Sequence, residues 1–328
     1  MTLPWISKHL DRLDINSLPH SILIGGREGL GKTNLAYLIN KSILCSNPEN
    51  MDSCKKCQSC RLFEDGNHPD FHEIDLDEDK KTISINQIRS LYLEMFESSF
   101  LGGNKIFYIP RSHLLSRESY DALLKTLEEP PPNTFIVLVN HDSHNLPQTI
   151  LSRCHKINIS KPEPKEIRSW LKSKDIEDSK IDLLIDLAKG NPLKALKMEE
   201  SNYLDHRNNF ISEISTLIKT GTNISNISEQ WIKDEEILLL KIEWMTDLLM
   251  DILRIKTFNE KNIILADTEK ISSYMKDKID IVNTLNLLDK TIDLWNKLYK
   301  NNNLRNDYHL QSLLIDWERS LGLRSQKI

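Results

Sequence analysis

Eight residues near the start of the chain, Gly26-Arg-Glu-Gly29-Leu-Gly31-Lys32-Thr33, fit the pattern G-x-x-x-x-G-K-[ST]. The chemistry of that pattern is phosphate binding. Gly26, Gly29 and Gly31 let backbone amides curl around phosphate oxygens, and a following helix N-terminus adds positive potential. Lys32 would reach the β- and γ-phosphates, and the Thr33 hydroxyl would ligate Mg²⁺. Hydrolysis asks for a carboxylate at the end of a neighbouring strand, to hold the Mg²⁺ shell, and an adjacent Glu to polarise water. Here the corresponding strand, Lys105-Ile-Phe-Tyr-Ile109, ends in Pro110-Arg111, and neither residue accepts a proton or helps to hold a metal. Asp121 and Glu118 lie in the next predicted helix rather than at the strand end. The pattern predicts capacity for ATP and Mg²⁺ but no self-sufficient ATPase; a vestigial, empty loop is the alternative.

Cys54-Lys-Lys-Cys57-Gln-Ser-Cys60 is a C-x-x-C-x-x-C run, with Cys45 upstream. Four thiolates close a tetrahedral zinc shell, and residues 46–53 have the Asn, Pro, Asp and Ser content of a loop that a metal would order. An iron-sulfur cluster needs a fourth Cys shortly after the third, where Arg61-Leu-Phe-Glu-Asp65 has none. Zinc is expected over a cluster, disulfides or free thiols, and with no open-site His or Glu pair nearby it should be structural. His68 and His72 read as ordinary loop and strand residues. Arg153, in Leu151-Ser-Arg-Cys154, is a further candidate. An Arg at a subunit edge can stabilise the γ-phosphate charge of a neighbour's ATP. From Arg153 alone, a surface salt bridge is the simpler reading.

These residues need a scaffold, and the breakers outline it. All 12 prolines lie at or before Pro192, and of the 10 glycines only Gly221 and Gly322 follow Gly190. In residues 20–160 short apolar runs at 21–24, 71–74, 106–109, 135–139 and 156–159 alternate with helical patterns at 31–44, 84–97 and 116–129. That alternation predicts an α/β domain with a buried, largely parallel sheet. After Lys161-Pro-Glu-Pro164, helices at 166–171, 181–189 and 192–198 suggest a small lid. From about Tyr203 the proline-free periodicity predicts a helical bundle, with Leu238, Ile242, Met245, Leu249 and Ile252 along one buried face.

Composition narrows the function classes. At 328 residues, 39% hydrophobic and 28% charged, the chain can bury two or three domain cores. Its longest apolar runs are far too short to cross a bilayer, and the N-terminal residues lack the basic and apolar regions of an export signal. No membrane partner and a cytoplasmic location are expected. A formal charge of -5 provides no global basic field, so nucleic acid would be met through a local patch or other subunits. Five cysteines, four crowded between residues 45 and 60, argue against a disulfide framework.

His20-Ser-Ile-Leu-Ile-Gly25, the phosphate loop, the four cysteines followed by Gly66-Asn-His68-Pro69-Asp70, Asp121-Ala-Leu-Leu-Lys-Thr-Leu-Glu-Glu-Pro-Pro131 and Leu151-Ser-Arg-Cys154 occur in a telling order. In that combination the chain resembles the bacterial clamp-loader AAA+ family, and within it the delta-prime branch of DNA polymerase III. The motifs cover roughly the first 200 residues; the rest is similar in length and helical character only. The resemblance implies a RecA-like AAA+ domain at 1–160 with a zinc module at about 45–67, a three-helix lid at 161–202 and a helical collar at 203–328. It implies zinc ligation by Cys45, Cys54, Cys57 and Cys60, and a nucleotide site of Gly26, Gly29, Gly31, Lys32 and Thr33 with Asn140 at the sensor-1 position. Arg153 becomes the trans arginine finger. Pro110 and Arg111 replace the Walker B acids, and Leu193 stands where a sensor-2 arginine would, with Lys194 one place away. These departures imply a non-hydrolysing member of the DNA polymerase III holoenzyme. Its partners would be gamma/tau and delta subunits and, through the complex, the sliding clamp and primed DNA. The alternatives are an active gamma/tau-like motor and a P-loop nucleotide kinase; no lid arginines are arranged for the latter.

Overall fold

The computed structural model describes residues 3–78, 80–141, 146–220, 224–258, 266–300 and 306–320. Parts of the predicted collar (221–223, 259–265, 301–305 and 321–328) lie outside the described residues. The chain divides into two compact units, residues 1–196 and 197–328.

In the first unit five apolar runs form strands β1 (Ser21–Gly26), β2 (Phe71–Glu73), β3 (Lys105–Ile109), β4 (Thr134–Val139) and β5 (His155–Ile159). They make one sheet in the order β2-β3-β4-β1-β5, with every pairing parallel. Register is fixed by pairs such as Ile24 with Val139 and Ile109 with Leu138. Parallel strands need crossovers, and helices α2 (Lys32–Leu44), α4 (Ile85–Met95), α5 (Arg117–Glu128) and α6 (Gln148–Leu151) provide them. Strand side chains alternate between two faces. Leu23, Phe107, Ile109, Ile136 and Leu138 pack with Ile88, Leu91 and Met95 of α4 and Leu123 and Leu127 of α5. Their alternates, including Ile22, Ile24, Ile106, Tyr108 and Val139, are buried too, and α2 packs on β1, β3 and β4. Near-continuous apolar strands are what a sheet covered on both faces requires. With the phosphate loop leaving β1, this is the RecA-like AAA+ arrangement.

Local chemistry sets the helix ends. Ser84 and Gln87 form a capping box on α4, and the Ser116 side chain accepts the Ser119 N–H at the start of α5. Pro130 to Pro132 stop α5. Helices α1 (Pro4–Leu10) and α3 (Gln58–Glu64) lie outside the predicted pattern. Helix α1 begins with Pro at N1, and α3 starts on Cys57, whose sulfur accepts the Cys60 N–H. Helices α7 (Pro164–Lys172), α8 (Asp178–Leu187) and α9 (Pro192–Glu200) form the small three-helix element, and the boundary between the two units falls inside α9.

The second unit is all helical among the described residues: α10 (Tyr203–Thr220), α11 (Ile224–Trp231), α12 (Glu235–Phe258), α13 (Glu269–Lys278), α14 (Ile281–Tyr299) and α15 (Asn306–Ser320). The predicted stripe Leu238, Ile242, Met245, Leu249 and Ile252 is buried on α12, which packs against α13 and α14. Trp231, Trp244 and Trp317 are fully enclosed. Arg207, only 1% exposed, donates Nε to Asp267 Oδ2 at 2.5 Å and Nη2 to Oδ1 at 3.0 Å, with its guanidinium over the Trp244 ring. Such a bidentate pair neutralises a cation that the apolar bundle would otherwise exclude, although the buried Nη1 has no hydrogen-bond partner among the described residues.

Candidate functional site

The phosphate loop joins β1 to α2 at the carboxyl edge of the sheet, where open α/β sheets take ligands. Gly31 caps α2 in the left-handed region at φ 86°. A Cβ there would come within 2.3 Å of Leu3 Cδ1 and 2.7 Å of Ile6 Cδ1, so the glycine serves both the turn and the packing of α1. Lys32 is 2% exposed, and its Nζ donates to Gly26 O at 2.7 Å and Arg27 O at 2.6 Å. Burial lowers its pKa to about 8, partly opposed by Glu28. Two residues outside the motif hold the loop. Trp5 Nε1 donates to Leu30 O at 2.8 Å and Asn191 Nδ2 to Glu28 O at 3.0 Å. Asn191 Oδ1 meanwhile accepts the Lys194 N–H, so one side chain ties the start of α9 to the loop. Only the Asn-Pro pair hints at this in sequence, as a helix-start signal.

The residues beside the loop do not fit a Mg²⁺ ion held in the usual way. Arg111 occupies the strand-end position and pairs through Nε with Asp75 Oδ1 at 2.7 Å. That oxygen also accepts the Leu76 N–H at 2.9 Å. Glu73 is pushed toward its neutral form by burial and by Asp75. Tyr108, 5% exposed, aims its hydroxyl at the Thr33 side chain without a hydrogen bond of normal length to any described residue. Asn140 is buried at the end of β4, its N–H donating to Ile24 O at 2.9 Å.

The four cysteines converge, with all four sulfurs within 4.8 Å of one another. Cys45 Sγ and Cys57 Sγ stand 4.0 Å apart. A tetrahedral zinc with Zn–S near 2.3 Å requires sulfur–sulfur edges of about 3.8 Å, so the set is compatible with structural zinc. Backbone N–H groups point at the sulfurs: Cys54 N to Cys45 Sγ at 3.2 Å, Cys57 N to Cys54 Sγ at 3.4 Å and Cys60 N to Cys57 Sγ at 3.4 Å. Burial raises the Cys57 thiol, but N–H groups of Ser46 and Cys60 and the adjacent thiols outweigh it and bring the pKa to about 6. Lys55 at φ 60° makes the tight turn between the first pair. His68 is not a ligand; it bolts the module to β2. Its Nδ1 accepts the Asp70 N–H at 3.1 Å, which leaves Nε2 to donate to Ser59 Oγ at 2.7 Å, and Ser59 in turn donates to Leu44 O at 2.5 Å.

Arg153 follows α6, whose Ile150 is fully buried, and precedes Cys154, whose thiol is pushed up to about 12 by burial in the core. These two anchors set the turn. The Arg153 side chain is 30% exposed. Its Nε donates to Glu128 Oε1 at 2.5 Å, Nη2 meets the same carboxylate oxygen, and Nη1 donates to Thr149 O at 2.9 Å. Glu128 lies in the sequence run Leu127-Glu-Glu-Pro130, and nothing in that run announces the pairing.

Two family models match the chain: "DNA polymerase III, delta subunit" over residues 5–163, and "DNA polymerase III, delta subunit, C terminal" over residues 201–319. DNA polymerase III subunit delta' of Buchnera aphidicola from Acyrthosiphon pisum is 30% identical over 328 residues, covering 97% of this chain and 98% of that protein. The delta' subunit of Buchnera aphidicola from Schizaphis graminum is 29% identical and covers 97% of each chain. DNA polymerase III subunit gamma of the Acyrthosiphon pisum strain is 36% identical over 168 residues, 51% of this chain and 45% of that one. No helix among the described residues is long and apolar enough to cross a membrane. A phosphate loop on a RecA-like sheet, a cysteine tetrad and full-length similarity to delta' subunits converge on one conclusion: the chain belongs to the DNA polymerase III delta-prime clamp-loader subunit family.

Proposed function

We propose that this chain is a non-hydrolysing ring member of a cytoplasmic clamp loader, which presents Arg153 to ATP bound by an adjacent gamma/tau-type motor. Its domains in this reading are the AAA+ module at 1–160, the lid at 161–202 and the collar at 203–328. The observation that carries the proposal is the replacement of both strand-end acids by Pro110 and Arg111, alongside an arginine held part-exposed at the Ser152-Arg153-Cys154 turn. With no carboxylate at the end of β3 to hold Mg²⁺ or polarise water, the chain's own site lacks the hydrolytic half, while Arg153 needs only a neighbour's γ-phosphate. Glu128 holds the guanidinium ready and exchanges it for the stronger anion.

The collar packs against gamma/tau and delta partners. Val282, Leu285, Ile292 and Tyr299 stand exposed on α14 at spacings that trace a single apolar stripe, as a helix awaiting a partner does. The zinc is structural and keeps residues 45–67 folded. ATP binding by the neighbours assembles the ring that opens the sliding clamp at primed DNA, and this subunit contributes geometry and one charge.

The motor reading has one observation in its favour, the intact phosphate loop. Steady-state ATP turnover by the isolated chain decides between them. No turnover is expected with Mg²⁺; turnover that Lys32→Ala abolishes would establish a motor. Co-elution with gamma/tau and delta subunits is expected in the same preparation, and its failure would contradict ring membership.

A further inference from the structure

Three neighbouring strand ends meet at the phosphate loop. β1 leads into it, β3 ends in Pro110-Arg111, and β4, lying between them, ends in Asn140-His141. Two bonds hold the ends level: Asn140 N–H donates to Ile24 O at 2.9 Å, and Ser112 Oγ donates to Val139 O at 2.9 Å. Arg111 therefore sits one residue from a fixed point on β4, and the His113 ring lies edge-on to His141 with centroids 5.3 Å apart. The Arg111 Nε is taken by Asp75, but the side chain is 43% exposed and its amino groups make no bond to another described residue.

Tyr108 shares the α2 face of β3, and its buried hydroxyl is aimed at the Thr33 side chain without a hydrogen bond of normal length to any described residue. Such a hydroxyl wants an acceptor. The acceptor that a loop of inward-facing amides brings beside Thr33 is a phosphate oxygen. A nucleotide's phosphates also need positive charge. In a hydrolytic site Mg²⁺ supplies it, held by strand-end acids. Here Pro110 and Arg111 stand in place of those acids at the end of β3, Arg111 adds a cation, Asp75 is already committed to Arg111 and Leu76, and Glu73 at the end of β2 is pushed toward its neutral form by burial and Asp75.

We propose that this site binds a nucleoside polyphosphate without a divalent cation, with Arg111 providing the charge that Mg²⁺ otherwise provides and Lys32 and the Thr33 and Tyr108 hydroxyls completing the cradle. The proposal rests on the reading of the chain as a non-hydrolysing subunit and gives its phosphate loop a use: a nucleotide held as a fixed structural ligand. Lys32 must first turn from Gly26 O and Arg27 O to the phosphate, a short swing about its own side chain.

Calorimetric titration of the full chain with ADP, once in EDTA and once in excess Mg²⁺, tests it. Equal affinity in the two buffers is expected. Arg111→Gln should weaken ADP binding in EDTA by roughly 10-fold or more, the loss of one charge-assisted bond, while Arg111→Lys retains most of it. Arg111→Glu should make binding depend on Mg²⁺. Tighter binding of the unaltered protein with Mg²⁺, no loss in a folded Arg111→Gln variant, or no ADP binding in either buffer would each overturn the proposal. None of these outcomes bears on ring membership, which is measured on the assembled complex.

Discussion

Gly31→Ala isolates the join between the phosphate loop and α1. Alanine at φ 86° takes a left-handed conformation that costs about 1–2 kcal/mol. Its Cβ would lie 2.3 Å from Leu3 Cδ1 and 2.7 Å from Ile6 Cδ1, and both side chains are only 1% exposed. Repacking two enclosed aliphatic chains adds roughly 1–3 kcal/mol. The sum is about 2–5 kcal/mol, or a fall in Tm of roughly 4–20 °C for a unit of this size. Gly66→Ala is the matched control. It has φ 71° and nothing within 4 Å of where a Cβ would stand, so it carries the conformational cost alone. Urea unfolding of both variants, followed by circular dichroism, separates strain from packing. Equal losses in the two variants would refute the claim that α1 is built onto the loop.

Two further outcomes follow from the site. Lys32 titrates at about 8 in the free chain because burial penalises its charge, whereas a bound phosphate stabilises the charged form. Binding then takes up a proton once Lys32 is neutral, so ADP affinity should fall as pH rises through about 8; affinity unchanged between about pH 7.5 and 9 would contradict the role of Lys32. The purified protein should contain one zinc per chain, and Cys57→Ser should lose it and expose residues 45–67 to proteolysis while the second unit stays folded. Reduced thiols with no zinc in the native protein would sink the tetrad.

Much of the fold is legible in residue types alone. The inner strands β1, β3 and β4 show because apolar runs such as Thr134–Val139 sit between breakers and are buried on both faces, while the edge strands β2 and β5 are partly exposed. The tetrad shows because short-range spacing alone nearly fixes its geometry. Helix α1 does not, since seven residues starting at Pro4 carry too little periodicity, and α3 hides because its N-cap is a cysteine. The contacts that hold the two arginines and the loop are equally hidden. Asn191 meets Glu28 across 163 residues, Arg111 meets Asp75 across 36, and Glu128 meets Arg153 across 25. Each is a tertiary pairing of ordinary polar residues, which no local pattern encodes. His68 reads as a loop residue because its partners, Ser59 and the Asp70 amide, come together only once the cysteine module docks.

In the proposed function, Arg153 works on a nucleotide bound by a neighbouring motor subunit. The direct test of that role is ATP hydrolysis by a reconstituted loader, stimulated by clamp and primed DNA, in which only this subunit carries Arg153→Ala or Arg153→Lys. A finger that stabilises transition-state charge is worth on the order of 10³-fold at the site it serves, so turnover at that one motor site should collapse in both variants while the ring still assembles. Full hydrolysis at every motor site in an assembled ring carrying Arg153→Ala would contradict that role.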